Sequence, residues 1–275
     1  MGKSLANWGE RRMYTFEERK TYFDNVSRAL ASSELVEGVV QLGSGVIGYK
    51  DEFSDIDLMI AVSNIEDAER TKDFIRDTLE VFNPLYFKEK QFSKDIFLII
   101  AILENGLEFN VSIVPRVLLS VQSPLWKVII DKTGLVKEKM DAENEHFLNR
   151  PVKYNVGMDV PFEFVYCSLA LEKELKRNNM IYALKMLEDM RGFTLLVQAM
   201  IEDKKLHQFK AYETLDPHFL QDYLATVPTE VTAENIRESA CKLKELFMRV
   251  IKHSTTFSMD DELKKLLDKN ESLDL

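Results

Sequence analysis

Two aspartates one residue apart, Asp55 and Asp57, lead into the apolar run Leu58-Met59-Ile60-Ala61-Val62. If this run is a strand, side chains two residues apart point to the same face, so the two carboxylates lie close together. Like charges at that distance destabilise each other unless a cation lies between them, and carboxylate oxygens are ligands for divalent metals. The pair therefore predicts a magnesium site with Asp55 and Asp57 as metal ligands.

A Gly-Ser pair, Gly43 and Ser44, lies upstream with ten residues between Ser44 and Asp55. Glycine lets a backbone approach a ligand closely, and such a turn offers N–H groups and a hydroxyl to phosphate oxygens. We therefore expect Gly43 and Ser44 to bind the terminal phosphates of a nucleotide. The alternative is that residues 50–55 form a solvated turn, but a turn does not explain Asp57, because an unpaired carboxylate inside an apolar strand is costly.

The chain has 275 residues, of which 45% are hydrophobic, and this is enough for two ordinary domains. Residues 149–161 contain two prolines and a glycine without apolar periodicity, so we expect domains at 1–150 and 151–275. No long apolar run or secretory leader stands out, which predicts a cytoplasmic protein. Cys167 and Cys241 are isolated, which argues against a disulfide framework or a zinc site.

The formal net charge of −10 restricts the class of partner. Proteins that hold nucleic acid normally carry a basic surface, so we expect no nucleic-acid partner. The lack of a long apolar run predicts no membrane partner either. An acidic surface attracts small cations, which favours a small cationic acceptor. The alternative is that the charge serves solubility alone.

Hydrophobic periodicity predicts an α/β first half and an all-helical second half. A helix begins after an N-cap at Thr15, and a second helix, capped by Asn64, covers about residues 66–81. Strands are predicted at 36–42 and 56–62, an antiparallel hairpin at 96–103 and 107–114, and a short strand with a turn at 126–134. Helices are predicted near 162–177, 179–202, 217–225, 231–252 and 259–269.

Gly43-Ser44, the spacing to Asp55-x-Asp57 and the apolar strand around Asp57 resemble the signature of the polymerase-β-type nucleotidyltransferase superfamily. Length and the helical second half resemble the bacterial adenylyltransferases that modify aminoglycoside or lincosamide antibiotics. The resemblance implies a mixed-sheet nucleotidyltransferase domain, followed by a helical bundle domain that completes the acceptor cleft. It also implies magnesium-dependent transfer of a nucleoside monophosphate, AMP from ATP, to a hydroxyl of a small molecule such as an aminoglycoside.

The family pattern places a third acid on the neighbouring strand, in the form acid-apolar-small-apolar-apolar-Pro. Matching it to residues 110–115 puts Asn110 at the acid's position. An asparagine can coordinate a metal through its carbonyl oxygen but cannot accept a proton. Glu108, two residues upstream on the same predicted face, is then the candidate base that activates the acceptor hydroxyl. The alternative for Glu108 is a solvated charge on an edge strand.

Other functions stay open on the same residues. Loss of the third acid fits a weakened or inactive protein of this fold that binds nucleotide or a protein partner. A nucleotidyltransferase with a protein acceptor is a further alternative, whereas the charge argues against a polynucleotide acceptor. We expect a monomer or a homodimer. Weaker candidates are Lys50 for the triphosphate, Glu172 and Glu174 for the acceptor, and Arg177 and Arg191 as a hinge or as solvated helix ends.

Overall fold

A computed structural model describes residues 13–49, 51, 53–150, 153–154, 156–204 and 211–269. The chain divides into two compact units, Met1–Arg150 and Pro151–Leu275. The first is called the sheet unit below and the second the helical unit. Lys50 and Glu52 lie outside the described residues.

The sheet unit is built on one mixed sheet of six strands in the order β3-β4-β5-β2-β1-β6. The strands are β1 (Gly38–Leu42), β2 (Ile56–Val62), β3 (Tyr86–Ser93), β4 (Ile96–Ile102), β5 (Glu108–Pro115) and β6 (Trp126–Asp131). Strands β2 and β5 run parallel, and the other neighbouring pairs run antiparallel. The predicted α/β class is confirmed, and the predicted hairpin is the antiparallel pair of β4 and β5.

One face of the sheet packs against two helices, α1 (Phe16–Ser32) and α2 (Ala68–Glu80). Alternate residues of the central strands are fully buried there, with Ile56 and Leu58 of β2 beside Phe109 and Val111 of β5. The opposite face of the same strands carries Asp57, Asn110 and Ser112, which are half-buried. Burial of alternate side chains thus fixes which face holds the polar residues.

The helix ends of the sheet unit test two predicted caps. Thr15 forms a complete capping box with Glu18 at the start of α1, as expected. Asn64 does not cap the next helix. Its side-chain amide donates to Asp67 Oδ2 at 3.0 Å, and a short 3-10 turn, Ile65–Asp67, precedes α2.

Helix α3 (Leu135–Leu148), the last element of the sheet unit, was not predicted from the sequence. Few of its residues are buried, namely Val136, Met140 and Phe147, so its apolar periodicity is weak. Its start is held by Asp131 of β6, whose Oδ1 accepts from the amide of Gly134 at 2.8 Å and whose Oδ2 accepts from the amide of Lys137 at 2.8 Å. The Asp-x-x-Gly turn therefore also serves as the cap of a helix.

The helical unit contains five helices in its described residues. They are α4 (Val160–Lys176), α5 (Met180–Ile201), α6 (Pro217–Leu224), α7 (Ala233–Ile251) and α8 (Asp261–Lys269). Helices α4, α5 and α7 share an apolar core in which Phe164 and Phe247 stack with ring centroids 3.7 Å apart. All five helices were predicted, with ends that differ by one or two residues.

Candidate active site

The two aspartates of the predicted metal site lie at the start of β2. Asp55 directly precedes the strand and Asp57 is its second residue, with the fully buried Ile56 between them. Both side chains are half-buried. Burial is the main cause of the raised pKa of Tyr49, and the negative charges of both aspartates add to it.

The neighbouring strand brings Asn110 opposite Asp57, because these two residues are register partners in the parallel pair of β2 and β5. Glu108 begins β5 two residues earlier, so alternation gives it the same face as Asn110. Both side chains are half-buried, and neither makes a hydrogen bond or an ion pair within the described part of the chain. Ser112 differs, since its hydroxyl donates to the carbonyl of Leu58 at 3.3 Å.

The Gly-Ser pair forms the start of a short 3-10 helix, Gly43–Ile47, at the end of β1. Gly43 has a φ of 68°, a conformation that glycine adopts without strain. Its amide donates to the carbonyl of Leu125 at 3.2 Å, so this N–H is already engaged within the protein. The half-buried Ser44 hydroxyl makes no hydrogen bond within the described residues. Of the two predicted phosphate-binding groups, the Ser44 side chain is therefore the better placed.

Three residues hold this turn in shape, and two of them, Gln41 and Tyr49, were not predicted from the sequence. The amide of Tyr49 donates to the carbonyl of Ser44 at 3.0 Å, and its hydroxyl accepts from Gln41 Nε2 at 3.2 Å. A Cβ on Gly45 would lie 2.3 Å from that nitrogen and 2.8 Å from the Tyr49 hydroxyl, so glycine is required there. The available signal was Gln41, a polar residue inside the apolar strand β1.

Two tyrosines beside the aspartates have perturbed pKa values. Burial raises the pKa of Tyr49, and the Asp57 and Asp55 carboxylates add to the increase. Burial also raises the pKa of Tyr14, followed by the negative charge of Asp55. Both phenols are therefore neutral at physiological pH, and the hydroxyl of Tyr14 donates to the carbonyl of Ser54 at 3.0 Å.

A match to a family model identifies the family of this chain. The model of the streptomycin adenylyltransferase family matches residues 17–268, which is most of the chain. The chain belongs to this family. The predicted resemblance to antibiotic adenylyltransferases is thereby confirmed, and nucleotidyl transfer is the general reaction of the family.

Solved structures give weaker likenesses. An aminoglycoside 6-adenyltransferase from Bacillus subtilis is 16% identical, with 95% of this chain and 99% of that chain covered and a TM-score of 0.45. A nucleotidyltransferase-like protein from Exiguobacterium sibiricum is 11% identical, with 93% and 89% covered and a TM-score of 0.41. These values are too low to add to the family assignment. No curated protein matches the chain significantly.

The donor set of this family member suits a hard cation. The described residues contain no cluster of three or more histidine, cysteine, aspartate or glutamate side chains with the arrangement of a metal site. Asp55 and Asp57 nevertheless supply carboxylate oxygens, and Asn110 beside Asp57 supplies an amide oxygen. Mg2+ is usually held by one or two carboxylates together with substrate phosphates and water. The residues present therefore fit Mg2+ with a nucleotide, and they do not form a complete protein cage.

The candidate acids of the helical unit have structural partners. Glu172 is buried and accepts from Arg237 Nε at 3.2 Å, which ties α4 to α7. Glu174 accepts from Asn179 at 2.7 Å and Arg177 at 2.6 Å, and these bonds lower the pKa of its carboxyl group. Both acids are therefore engaged in holding helices together rather than available to a ligand.

Arg191 is also not a solvated helix end. It is 7% exposed and donates to the carbonyl of Tyr223 at 3.2 Å and to the Thr226 hydroxyl.

None of the helices in the described parts of the chain is both long and apolar enough to cross a membrane.

Proposed function

We propose that this protein transfers a nucleoside monophosphate, AMP from ATP, to a hydroxyl of a small acceptor in a magnesium-dependent reaction. The observation that carries the proposal is the pairing of Asp57 with Asn110 across two parallel strands, with Asp55 at the start of the same strand. Family membership supports the reaction class. The identity of the nucleotide, the need for Mg2+ and the class of the acceptor go beyond family membership and belong to the proposal.

Each proposed role follows from the chemistry of the side chain. Asp55 and Asp57 would hold the metal, and Asn110, the register partner of Asp57, would offer it an amide oxygen. A bound Mg2+ supplies charge stabilisation for the triphosphate and for the group being transferred. The Ser44 hydroxyl donates to a terminal phosphate oxygen, and Gly43 provides the backbone turn that presents it.

Glu108 is the proposed general base. Asn110 cannot accept a proton, whereas Glu108 lies on the same strand face with a carboxylate that has no partner in the described residues. Glu108 takes the proton from the acceptor hydroxyl while the acceptor oxygen bonds to the α-phosphorus. The bond from the α-phosphorus to the bridging oxygen breaks, and pyrophosphate leaves.

The acceptor that the charge favours is a small cation of the aminoglycoside type. A net charge of −10 attracts a polycation and repels nucleic acid. That the helical unit contributes to acceptor binding stays a prediction. Pyrophosphate release should be measured with ATP, other nucleotides, and a panel of aminoglycosides and lincosamides, with and without Mg2+.

Asp57→Asn tests the metal site. It should abolish magnesium-dependent nucleotide binding while the protein still folds, because the amide keeps the size of the side chain and loses the charge that a divalent metal requires. Asp77→Asn, at an exposed position of α2, is the matched control and should bind nucleotide as the wild type does. Unchanged activity in Asp57→Asn would overturn the metal site.

Glu108→Gln and Asn110→Asp separate an enzyme from a protein that only binds nucleotide. Asn110, at the position where the resemblance implies an acid, is the feature that favours the second function. If Glu108 is the base, Glu108→Gln lowers turnover by roughly a hundredfold with little change in nucleotide affinity. Glu104→Gln, on the exposed β4–β5 turn, is its control. Thermal stabilisation of the wild type by ATP and Mg2+ without pyrophosphate release under any condition would favour the binding protein.

A further inference from the structure

A buried arginine of α1 contacts the segment that leads into Asp55. Arg19 is 1% exposed, and its guanidinium donates to two backbone carbonyls, that of Ser54 at 3.1 Å and that of Asp51 at 3.0 Å. The guanidinium carbon also lies 4.1 Å from the ring centroid of Tyr49. One side chain thus contacts both ends of the segment from Tyr49 to Ser54.

The same segment is attached to the Gly-Ser turn at its first residue. Tyr49 donates its amide to the carbonyl of Ser44, and its hydroxyl is held by Gln41 of β1. At the other end, the hydroxyl of Tyr14 donates to the Ser54 carbonyl that also accepts from Arg19. Contacts therefore run without a break from Ser44 through Tyr49 and Arg19 to the residue before Asp55.

The chemistry of these contacts is unusual for a residue that serves packing alone. Burying a guanidinium is expensive, and an apolar side chain would fill the same volume at lower cost. Arg19 makes no ion pair within the described residues, and its hydrogen bonds go to neutral carbonyls. Within the described residues its positive charge is therefore not cancelled by direct contact with a carboxylate, and its hydrogen bonds go to the backbone just before Asp55.

We propose that Arg19 is a positioning residue that holds Ser54 and Asp55 in a fixed relation to the Ser44 turn, so that the metal-binding and phosphate-binding groups are arranged before the nucleotide arrives. The proposal rests on the proposed function, since it concerns binding of the magnesium–nucleotide complex at that site. Arg19 itself touches neither ligand. It acts through the Ser54 carbonyl and the Tyr49 ring.

Three variants and one control variant test this role. Arg19→Met keeps most of the side-chain length but removes the charge and both donors, and Arg19→Lys restores the charge without the planar fork. Arg191→Met is the matched control, because Arg191 of the helical unit is also a buried arginine that donates to a backbone carbonyl and stacks on a tyrosine. Tyr14→Phe removes the second donor to the Ser54 carbonyl without removing a charge, and it serves if Arg19→Met does not fold.

Affinity for ATP with Mg2+ is measured by calorimetry. Hydrogen exchange of residues 49–57 is measured in the protein without ligand. Both measurements are made well below the melting temperature. Arg19→Met should weaken nucleotide binding by roughly tenfold to a hundredfold, the usual effect of losing a partner that orients a metal ligand. Arg19→Lys should recover part of the affinity. Exchange in residues 49–57 should rise in Arg19→Met and, to a smaller extent, in Tyr14→Phe.

The possible outcomes separate the two proposals. A wild type that binds no nucleotide would overturn the proposed function. A wild type that binds nucleotide, with Arg19→Met of equal affinity and unchanged exchange in residues 49–57, would overturn the role of Arg19. An equal loss of affinity in Arg191→Met would do the same, because it would show that destabilisation of either unit is sufficient. If Arg19→Met does not fold, unchanged affinity and exchange in Tyr14→Phe would overturn it.

Discussion

Each unit of the protein contains a buried arginine that donates to a backbone carbonyl and stacks on a tyrosine. In the sheet unit, Arg19 lies 4.1 Å from the ring centroid of Tyr49. In the helical unit, Arg191 lies 4.4 Å from the ring centroid of Tyr223. Burial is the leading cause of a raised pKa in both tyrosines, and the neighbouring arginine opposes it in both. The same local arrangement is thus built on two different scaffolds.

The two arginines differ in their charge partners and in the segments they hold. Arg191 has a carboxylate nearby, since its Nε lies 3.0 Å from Glu188 Oε2 as an ion pair without hydrogen-bond geometry. It joins α5 to the end of α6. Arg19 has no ion pair in the described residues, and the segment that it holds continues into Asp55 and β2. A buried arginine therefore does not indicate a functional site by itself. Its role depends on the segment that it contacts.

The acids of the two units show the same contrast. Glu172 and Glu174 of α4 are buried and bonded to Arg237, Arg177 and Asn179. Glu108 of β5 is half-buried and without a partner in the described residues. A carboxylate whose hydrogen-bonding capacity is used within the protein has little left for a substrate. This difference favours Glu108 over the acids of α4 as the proposed general base.

Arg191→Met gives the largest expected effect on stability. It removes a buried cation and leaves the Tyr223 carbonyl and the Thr226 hydroxyl without that donor, so the free energy of unfolding should fall by about 3 kcal/mol. Affinity for ATP with Mg2+ should be unchanged. Denaturant unfolding and calorimetry check the two parts. A large loss of affinity would break the distinction between the two arginines.

Local sequence patterns predicted most elements correctly. Strand β2 has the predicted bounds because an apolar run follows the aspartates directly, and the hairpin of β4 and β5 follows from two apolar segments around a Glu-Asn-Gly turn. Helix α3 was missed because its cap, Asp131, lies outside the helix and few of its residues are buried. A solvent-facing helix leaves little periodic signal.

The candidate site was only partly accessible to the same reasoning. Side-chain alternation predicted that Glu108 and Asn110 share a face, whereas the exact pairing of Asn110 with Asp57 depends on the register of two strands far apart in sequence. Arg19 meets Ser54 across 35 positions of the chain, and no local pattern encodes such a contact. Arg191 was considered as a solvated helix end, and that prediction is wrong because Arg191 is buried and donates to Tyr223 and Thr226 at the end of α6.

Gly45→Ala sharpens the comparison within the sheet unit, with a smaller expected effect. The added methyl group would separate the Gln41 amide from the Tyr49 hydroxyl, and the ring under Arg19 would have to shift. ATP affinity should fall by about tenfold. Gly48→Ala is the control, because a Cβ added at Gly48 meets no atom within 4 Å. The φ of 88° at Gly48 costs an alanine about 1 kcal/mol of strain. Equal affinities in the two variants would show that the Gln41–Tyr49 contact does not matter for binding.

Glu174→Gln should have the smallest effect, confined to the pH dependence of stability in the helical unit. Hydrogen bonds from Asn179 and Arg177 hold the pKa of Glu174 below its ordinary value, so the folded state favours the ionised form. The stabilisation is present above the ordinary pKa of 4.5 and is lost as the pH falls through the lower pKa of the folded protein. The wild type should therefore melt at a higher temperature than Glu174→Gln at pH 7, and the difference should shrink as the pH falls below 4.5. Melting curves across this range measure the difference directly. A difference that stays constant with pH would mean that Glu174 stabilises α4 and α5 by packing and not by its charge. The helical unit would then differ from the sheet unit, for which charged contacts are inferred.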